Sequence, residues 1–280
     1  MKKKKNWTGV LWILPSLSGV LLFYCIPWLD VFRRAFARST GQGFAGLENF
    51  RKLFQNEAFL LASKNTLRFI LICIPVLLAG SLALAVLIQR CRYGAWYKWM
   101  LLLPMALPAV STALIWKLLF HRYGLLNAVL ERMGLPVNNW LNSSAAFWIL
   151  VFSYLWRNSG YHVILWLAGL KQIDSSIYEA ARIDGAGEFR IFRSMTLPNL
   201  KQVFATAAVL SMLNSFKVFR EAYLVAGNYP HDSMYMMQHL FNNWFRILAL
   251  DKMSAASVLL SIVILSFLGI LYKVWGKEMG

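Results

Sequence analysis

Six long apolar segments alternate with short polar segments along this chain. An α-helix needs about 20 mostly apolar residues to cross the hydrocarbon core of a bilayer. The pattern therefore predicts an all-α integral membrane protein with six transmembrane helices, over residues 10–29, 66–88, 99–120, 147–170, 203–223 and 255–275.

The charges between these segments predict their orientation. Lysine and arginine are dense in four short segments, which are residues 1–5, 89–98, 171–201 and 273–280. Short loops that are rich in Lys and Arg stay in the cytoplasm, and an even number of spans puts both termini on that side. Arg33, Arg34 and Arg38 follow the first span on the opposite side and run against this rule, but the bias over all short loops favours the same orientation.

The N-terminal region is expected to remain attached. Lys2–Lys5 precede the first apolar segment, which is longer than the apolar region of a typical signal peptide and is not followed by a small-residue cleavage site. Further on, the helical spacing of apolar residues within 45–64 predicts an amphipathic surface helix. We therefore divide the chain into an N-terminal part (1–65), a core of five spans (66–275) and a tail (276–280).

The third predicted span contains two prolines. Pro104 and Pro108 lie within it, and proline inside a helix removes a backbone hydrogen bond. The sequence predicts a kink at these positions that serves packing and has no role in recognition of a solute.

Composition supports the membrane assignment. Only 15% of the 280 residues are charged and 59% are hydrophobic, whereas soluble domains have about 25% charged residues. The formal charge of +17 raises the question of nucleic acid, but we see no basic stripe of the kind that a nucleic-acid-binding domain carries. Contact with anionic membrane lipid and orientation of the loops explain the charge, and we expect no nucleic-acid partner.

The sequence contains no clear catalytic or metal-binding pattern. Cys25, Cys73 and Cys91 lie in or beside apolar segments without paired spacing, which predicts small buried side chains. The four histidines have no metal-ligand spacing. The phosphate-binding pattern Gly-x-x-x-x-Gly-Lys-Ser/Thr is absent, since Gly276-Lys277 has no glycine five positions before it. We expect no catalytic residue and no metal in this chain.

The segment 171–201, which we call the polar loop, contains charges of both signs between two apolar segments. Ser176 and Glu179 have the spacing of a capping box, which predicts the start of a helix. Asp184-Gly185 predicts its end, because glycine adopts positive φ at low cost.

A second short helix is predicted over residues 188–194, and Pro198 suits the first turn of the next helix. The polar loop should therefore fold as helix, tight turn and helix. From the residues alone, two interpretations stay open: an interfacial element that covers the membrane surface, or a rigid element that docks on a partner protein.

The polar loop resembles the cytoplasmic signature of the permeases of ATP-binding cassette (ABC) importers. That signature reads Glu-Ala-Ala, three residues, Gly, nine residues, Ile, one residue and Leu-Pro. The chain has Met195 at the isoleucine position and matches the signature at Glu179, Ala180, Ala181, Gly185, Leu197 and Pro198.

Other segments resemble the sugar-importer branch of these permeases, similar to those for maltose-type oligosaccharides and glycerol 3-phosphate. They are LPSLSGVLLFYCIPWLDVFRRAF in the first span, LPMALPAVSTALIWKLLF in the third and SFKVFREAYLV in the fifth. The chain has AGNYPHDS where that branch often has a Gly-Gly-Pro turn. The resemblance implies the type I ABC importer permease fold in a bacterial plasma membrane.

The resemblance also implies partners and a mechanism. Two permeases, expected here as a heterodimer, would form the channel for a carbohydrate, and an extracellular solute-binding protein would deliver it. Two ATPase subunits would bind ATP and magnesium, while this chain itself carries no cofactor. The polar loop would be the coupling helix, with ATPase coupling by Glu179, Ala180, Ala181, Asp184, Gly185, Leu197 and Pro198.

Polar residues within predicted spans are candidates for the solute path, because they are costly in a membrane unless they have partners. In the picture that the resemblance implies, the fourth and fifth spans line this path, with Tyr154, Asn158, Ser211, Asn214 and Lys217 facing sugar hydroxyls. The alternatives are hydrogen bonds between helices and contact with the second permease. His231 and Asp232 are candidates for contact with the solute-binding protein.

Three other functions stay open. One is an importer for another solute, such as glycerol 3-phosphate. Another is an ATP-independent channel or secondary transporter, which would not need an ATPase-docking signature. A membrane-embedded enzyme would need a nucleophile–base or metal cluster within the bundle, and the sequence contains no such pattern.

Overall fold

The computed structural model describes residues 7–38, 43–91 and 94–275. The chain divides into two compact units, formed by the described parts of 1–60 with 241–266 and of 61–240 with 267–280. In these described ranges the regular structure is helical, apart from an isolated antiparallel bridge between Ala37 and Phe44. The prediction of an all-α protein is confirmed, whereas Lys2–Lys5 and the tail 276–280 lie outside the described residues.

Nine helical segments precede or lead into the polar loop. In chain order they are α1 (Trp7–Val20), one π-helical turn (Leu21–Cys25), α2 (Ile26–Ala35), α3 (Glu48–Phe54), α4 (Glu57–Arg90), α5 (Gly94–Ala106), α6 (Ala109–Phe120), α7 (Leu125–Arg132) and, after a short 3-10 turn, α8 (Ala145–Gln172), all within the described ranges. From the polar loop onward the chain forms α9 (Ser175–Ile183), α10 (Glu188–Ile191), a second π-helical turn (Phe192–Thr196), α11 (Leu197–Asn199), α12 (Lys201–Ser215), a 3-10 turn (Phe216–Val218), α13 (Phe219–Ala226), α14 (Met237–Arg246) and α15 (Leu250–Trp275).

In the first unit, Asn49 holds the short helix α3 against the end of α2. Its buried side-chain amide donates to the carbonyl oxygens of Ala35 at 3.0 Å and Ala37 at 2.7 Å. The Phe36 and Phe50 rings pack beside this contact at 5.2 Å between centroids. Because a buried amide must keep its hydrogen bonds, this contact fixes the chain direction after α2.

The predicted amphipathic helix over 45–64 is wrong in its second half. Helix α3 ends at Phe54, and α4 begins at Glu57, nine residues before the predicted second span. The Asn56 side chain accepts a hydrogen bond from the Phe59 backbone N–H at 2.9 Å. This side-chain cap satisfies a free N–H at the start of α4, so the apolar residues after it belong to the long helix.

Four helical segments are long and apolar enough to cross a membrane, and they are Trp12–Ala35, Glu57–Gln89, Lys201–Ala226 and Leu250–Val274. A fifth span results if α5 and the helices after it count as one, although they are bent by 93° at the break. Pro108 caps α6 in an extended conformation, with ψ of 146°. The predicted kink in the third span is therefore confirmed at Pro108, whereas Pro104 lies within the continuous helix α5.

Helix α8 corresponds to the predicted fourth span, but it is not apolar enough to count among the four segments above. It has 28 residues, or about 42 Å at 1.5 Å per residue, which exceeds the thickness of a bilayer core. Arg157, Asn158 and His162 lower its hydropathy. Length and composition within the described residues thus support four spans, or five with the bent pair, and six remain a prediction.

Helix α8 forms the core of the second unit and packs closely against two other helices. A side chain at Gly160 would overlap the Leu101 carbonyl of α5, and one at Gly169 would lie 2.6 Å from the Val203 side chain of α12. The glycines therefore permit backbone approaches that no larger residue allows. A buried cluster continues this core and includes Phe69, Cys73, Leu77, Phe147, Leu150, Tyr154, Val218, Ala222, Met234 and Met236.

Candidate functional site

The polar loop begins with a side-chain cap at Asp174. Its carboxylate accepts the Ser176 backbone N–H at 2.9 Å, and helix α9 starts at Ser175. The predicted capping box is wrong, because Ser176 already lies inside the first turn and Asp174 takes the capping position. The hydrogen bond from Ser176 stabilises the charged carboxylate and lowers the pKa of Asp174.

The predicted stop at Gly185 is confirmed. Gly185 has φ of +75°, and its N–H donates to the Arg182 carbonyl at 3.0 Å. The next N–H, from Ala186, donates to the Ala181 carbonyl at 2.9 Å. These two bonds satisfy free carbonyl groups at the end of α9, as in a glycine-capped helix terminus.

The second helix of the polar loop also forms as predicted and is longer than predicted. The helical path starts at Glu188 and continues through the π-helical turn into α11, where Pro198 occupies the first turn. The Tyr178 and Thr196 hydroxyl groups lie 3.3 Å apart and connect the two sides of the loop. The Arg182 guanidinium forms an exposed ion pair with Glu188 across the turn, also at 3.3 Å.

Two large apolar side chains project from this turn. Ile183 is 86% exposed and Phe189 is 77% exposed. Neither residue was singled out from the sequence. Both lie beside a polar turn, where an apolar side chain has no buried surface to pack against. Exposed apolar side chains beside polar residues make this turn a candidate interaction surface, and we call the turn between α9 and α10 the docking edge.

The predicted coupling residues lie mostly on the outer side of the polar loop. Ala181 is the exception, because it is buried at 5% exposure and packs inward. Of the two adjacent alanines, only Ala180 is thus available to a partner. The other exposed members of the set are Glu179, Asp184, Gly185, Leu197 and Pro198.

The helices on either side of the polar loop border a cavity of about 190 Å³, which we call the bundle cavity. It contains four of the five predicted solute-path residues, whereas Ser211 is not among its lining. The lining residues are Met105, Ser153, Tyr154, Arg157, Asn158, Asn214, Lys217, Val218, Arg220 and Glu221.

An ion pair crosses one wall of the bundle cavity. The Arg157 Nη1 atom lies 3.0 Å from Glu221 Oε1, and the two side chains are 22% and 9% exposed. Arg157 also donates to the Thr112 hydroxyl at 3.3 Å, so the guanidinium connects α8, α13 and α6. Sequence reasoning missed Glu221, although it is the single acidic residue within the six predicted spans.

Ser211 lies in a buried hydrogen-bond network between α8 and α12. His162 Nδ1 lies 2.9 Å from the Asn158 carbonyl oxygen, and Nε2 lies 2.8 Å from Ser211 Oγ. Nε2 also lies 3.3 Å from the Ala207 carbonyl oxygen, so each ring nitrogen has a carbonyl acceptor. The Ser211 hydroxyl therefore donates to Nε2 or accepts from it, depending on which nitrogen carries the proton. The Tyr154 hydroxyl donates to the Ser211 carbonyl at 2.7 Å. For Ser211 and Tyr154, these contacts agree with the alternative that polar residues within the spans form hydrogen bonds between helices.

The other predicted path residues use only part of their hydrogen-bonding capacity. Lys217 Nζ donates to Asn214 Oδ1 at 2.9 Å, and Asn158 Nδ2 donates to the Tyr154 carbonyl at 2.8 Å. An ammonium group has three donors, and a carboxamide has two donors and an oxygen. The cavity therefore offers donors and acceptors for a hydroxylated molecule.

The last two predicted residues, His231 and Asp232, lie in the turn after α13. The His231 ring accepts the Ser233 N–H at 3.2 Å and is half-buried, while Asp232 is exposed. Asn65 holds this turn by donating to the Asp232 carbonyl at 2.6 Å and to the Tyr235 carbonyl at 2.9 Å. In the described ranges, no three His, Cys, Asp or Glu side chains come together as a metal site requires.

Comparison with known proteins gives the family. Residues 76–279 match the family model of the binding-protein-dependent transport system inner membrane component. The trehalose/maltose transport system permease protein MalF of Thermococcus litoralis is 31% identical, over 98% of this chain and 95% of the relative. The sulfoquinovosyl glycerol transport system permease protein SmoG of Agrobacterium fabrum is 32% identical, over 90% and 85% of the two chains.

A solved structure has the same fold. It is a crystal structure of a bacterial ABC transporter involved in the import of the acidic polysaccharide alginate. One of its chains superposes with a TM-score of 0.83 at 22% identity, over 98% of this chain and 96% of that one. With the signature of the polar loop and the match over 76–279, the chain belongs to the family of binding-protein-dependent transport system inner membrane components.

Proposed function

We propose that this chain is the permease subunit of an ATP-driven ABC importer for a carbohydrate. The observation that carries the proposal is the polar loop, which presents the residues of the ATPase-docking signature on a rigid helix–turn–helix. Its relatives named for trehalose and maltose and for sulfoquinovosyl glycerol support the solute class. The polar lining of the bundle cavity suits a hydroxylated solute.

The docking edge suits a cleft on an ATPase subunit. Ile183 and Phe189 are exposed on the two sides of the Gly185 turn, and we expect both side chains to enter a groove of the partner. Glu179 is exposed on α9 and can pair with a basic residue of the partner. Buried apolar anchors with charged groups around them are the usual composition of a tight interface.

The polar loop is held by the two helices that border the bundle cavity. Helix α8 enters the loop and α12 leaves it, and the hydrogen bond between His162 and Ser211 joins them. The close approach of Gly169 to Val203 joins them again near the loop. Closure of the ATPase dimer would therefore move both helices together, as rigid-body alternating access requires.

A second permease is expected to complete the solute path. Pockets for small molecules usually measure about 300–1,000 Å³, and the bundle cavity measures about 190 Å³. A second, similar permease would supply the remaining wall, and a heterodimer would let the two walls differ. The solute-binding protein would deliver the carbohydrate from the side opposite the polar loop.

In the proposed assembly the polar loop and both termini would lie in the cytoplasm of a bacterial cell. ATP and magnesium would bind to the ATPase subunits, so this chain would carry no cofactor of its own. It would convert motion of the ATPases into access to the bundle cavity, and its spans would contact membrane lipid.

The test uses the assembled transporter in proteoliposomes, with the double variant Glu179→Arg/Gly185→Pro. Proline cannot adopt the φ of +75° at position 185, and the reversed charge opposes docking. Solute-stimulated ATP hydrolysis should be lost while the permease stays folded by its melting temperature.

The matched control is Lys171→Glu, which reverses an exposed charge at the end of α8 and should leave coupling intact. Normal coupled hydrolysis in the double variant would show that the polar loop is not the docking element. Solute uptake without any ATPase would instead support a channel or a secondary transporter.

A further inference from the structure

The bundle cavity has an excess of positive charge. Its lining contains three basic side chains, Arg157, Lys217 and Arg220, and one acidic side chain, Glu221. The net charge of the lining is therefore +2 at neutral pH. A cavity for a neutral sugar needs hydroxyl-binding groups but no such excess, so the charge indicates the type of solute.

The one acidic group of the lining is already paired. Glu221 Oε1 lies 3.0 Å from Arg157 Nη1, and the glutamate side chain is 9% exposed. This nearly buried carboxylate neutralises the charge of one guanidinium, that of Arg157. Arg220 also interacts electrostatically with Glu221, but it forms no ion pair with it in the described residues, and Lys217 keeps its charge. Arg157 is held by its ion pair and acts as a positioning residue.

Lys217 and Arg220 have no ion pair with a carboxylate in the part of the chain that the structure describes. The described partner of Lys217 is the neutral Asn214 side chain, whose oxygen lies 2.9 Å from Nζ. Both basic side chains are exposed, and they stand three positions apart along a continuous helical path. Residues at this spacing lie on one face of a helix, so both charges can reach one group.

We propose that the solute of this permease is an acidic carbohydrate, whose oxyanion group binds between Lys217 and Arg220. This inference rests on the proposed function and narrows it. A guanidinium offers two parallel donors to the carboxylate of a uronic acid, and an ammonium adds a strong point charge. The Asn214 amide keeps its two N–H donors for the sugar, because its oxygen is used by Lys217.

Ser153 completes the polar lining on the α8 side. Its hydroxyl oxygen accepts the Trp116 indole N–H at 2.8 Å, which leaves the hydroxyl proton free to donate into the cavity. The cavity thus has donors at several positions and an excess of positive charge. This distribution fits a hydroxylated body with one anionic group.

The test measures ATP hydrolysis and uptake by the assembled transporter, with its own binding protein, in proteoliposomes. The probes are two matched panels: neutral oligosaccharides (malto-, cello- and xylo-oligosaccharides) and uronate-containing oligosaccharides (oligogalacturonate, glucuronoxylan fragments and alginate fragments). We expect stimulation by acidic members only. Lys217→Gln and Arg220→Gln should each lower the apparent affinity for the active acidic probe about tenfold, because each removes a charge-assisted hydrogen bond.

The control Lys117→Gln makes the same change on α6 outside the bundle cavity, and it should leave the affinity unchanged. Melting temperatures of the three variants should match that of the unchanged protein, since all three side chains are exposed. Tenfold weakening in the two cavity variants, with none in the control, supports the inference.

Two results would overturn it in different ways. Stimulation by neutral oligosaccharides with unchanged affinity in Lys217→Gln and Arg220→Gln would show that neither side chain binds the solute through its charge. The proposed function would then stand without an acidic solute. Failure of every carbohydrate in both panels would contradict the proposed function itself.

Discussion

His162 and Ser211 share a buried hydrogen bond of 2.8 Å between α8 and α12, the helices that enter and leave the polar loop. Both side chains are completely buried. The bond therefore fixes the spacing of the two helices between the bundle cavity and the docking edge.

The first prediction concerns this bond. Ser211→Ala removes the hydroxyl partner of His162 Nε2 and should lower the free energy of unfolding by about 1–3 kcal/mol. Uptake per ATP hydrolysed should fall as well, because the two helices are less firmly joined. Thermal unfolding in detergent and uptake in proteoliposomes measure the two effects.

Ser215→Ala is the matched control for that variant. Ser215 is also buried on α12, but its hydroxyl donates to the Met212 carbonyl within the same helix at 2.6 Å. It should cost less stability and leave the ratio of uptake to hydrolysis unchanged. Equal effects of the two variants would show that His162 does not join the helices.

The second prediction concerns the contact between α5 and α8. Gly160→Ala places a methyl group onto the Leu101 carbonyl, and the two helices must separate. Overpacking of this type costs about 1–3 kcal/mol. We expect a lower melting temperature and a lower yield of folded permease.

Gly80→Ala is the control, because a side chain there meets nothing within 4 Å on α4. Alanine favours a helix over glycine by up to about 1 kcal/mol, so this variant should unfold at the same or a higher temperature. A neutral Gly160→Ala variant would contradict the close approach of the two backbones.

Local features of the polar loop were predicted well from sequence, and contacts between distant residues were not. Gly185 ends its helix through its own backbone freedom, which the neighbouring residues reveal. The start of α9 was predicted at Ser176, because serine and aspartate both suit the N-cap position. In the structure Asp174 is the N-cap residue. Arg157 and Glu221 lie on different helices, so no local periodicity connects them, and Ser211 faces His162 for the same reason.

The third prediction concerns the turn of the docking edge. Gly185→Ala forces a side chain into a left-handed conformation, at a cost of about 1–2 kcal/mol. The turn should loosen, and Ile183 and Phe189 should no longer be held in one orientation. Solute-stimulated ATP hydrolysis should therefore fall more than the thermal stability of the whole permease.

Gly187→Ala provides the comparison two residues away. Gly187 has φ of −67°, which alanine adopts readily, and a side chain there meets nothing within 4 Å. Coupling should remain close to normal in this variant. Equal loss of hydrolysis in both variants would mean that the turn needs small residues, independently of positive φ at position 185.

The fourth prediction concerns the ion pair of the bundle cavity. Glu221→Gln leaves the Arg157 guanidinium without its carboxylate, and removing one partner of a buried pair costs about 3–5 kcal/mol. The double variant Arg157→Met/Glu221→Leu removes both charges and should recover most of the stability. Thermal unfolding of Arg157→Met, of Glu221→Leu and of the double variant gives the coupling energy, and additive effects would show that the pair contributes nothing.

The last prediction concerns pH and rests on His239, at the start of α14. Burial lowers the pKa of His239 to about 4, and its surroundings are the Phe219 ring at 4.7 Å and the Tyr235 ring at 5.6 Å. Nδ1 accepts the Met236 N–H at 3.1 Å, so the neutral ring is the form that fits. The unfolded chain binds the proton near pH 6.5, and the folded chain binds it only near pH 4.

The contribution of His239 to stability is therefore complete above pH 6.5 and declines as the pH falls towards 4, by about 3 kcal/mol in total. His239→Gln should lower stability at pH 7.5 and flatten its decline between pH 6.5 and 4.5. His121→Gln is the control, because that ring lies at the exposed end of α6. An equally steep decline in His239→Gln would assign the acid sensitivity to another group, because a glutamine side chain at that position has no proton to gain in this range.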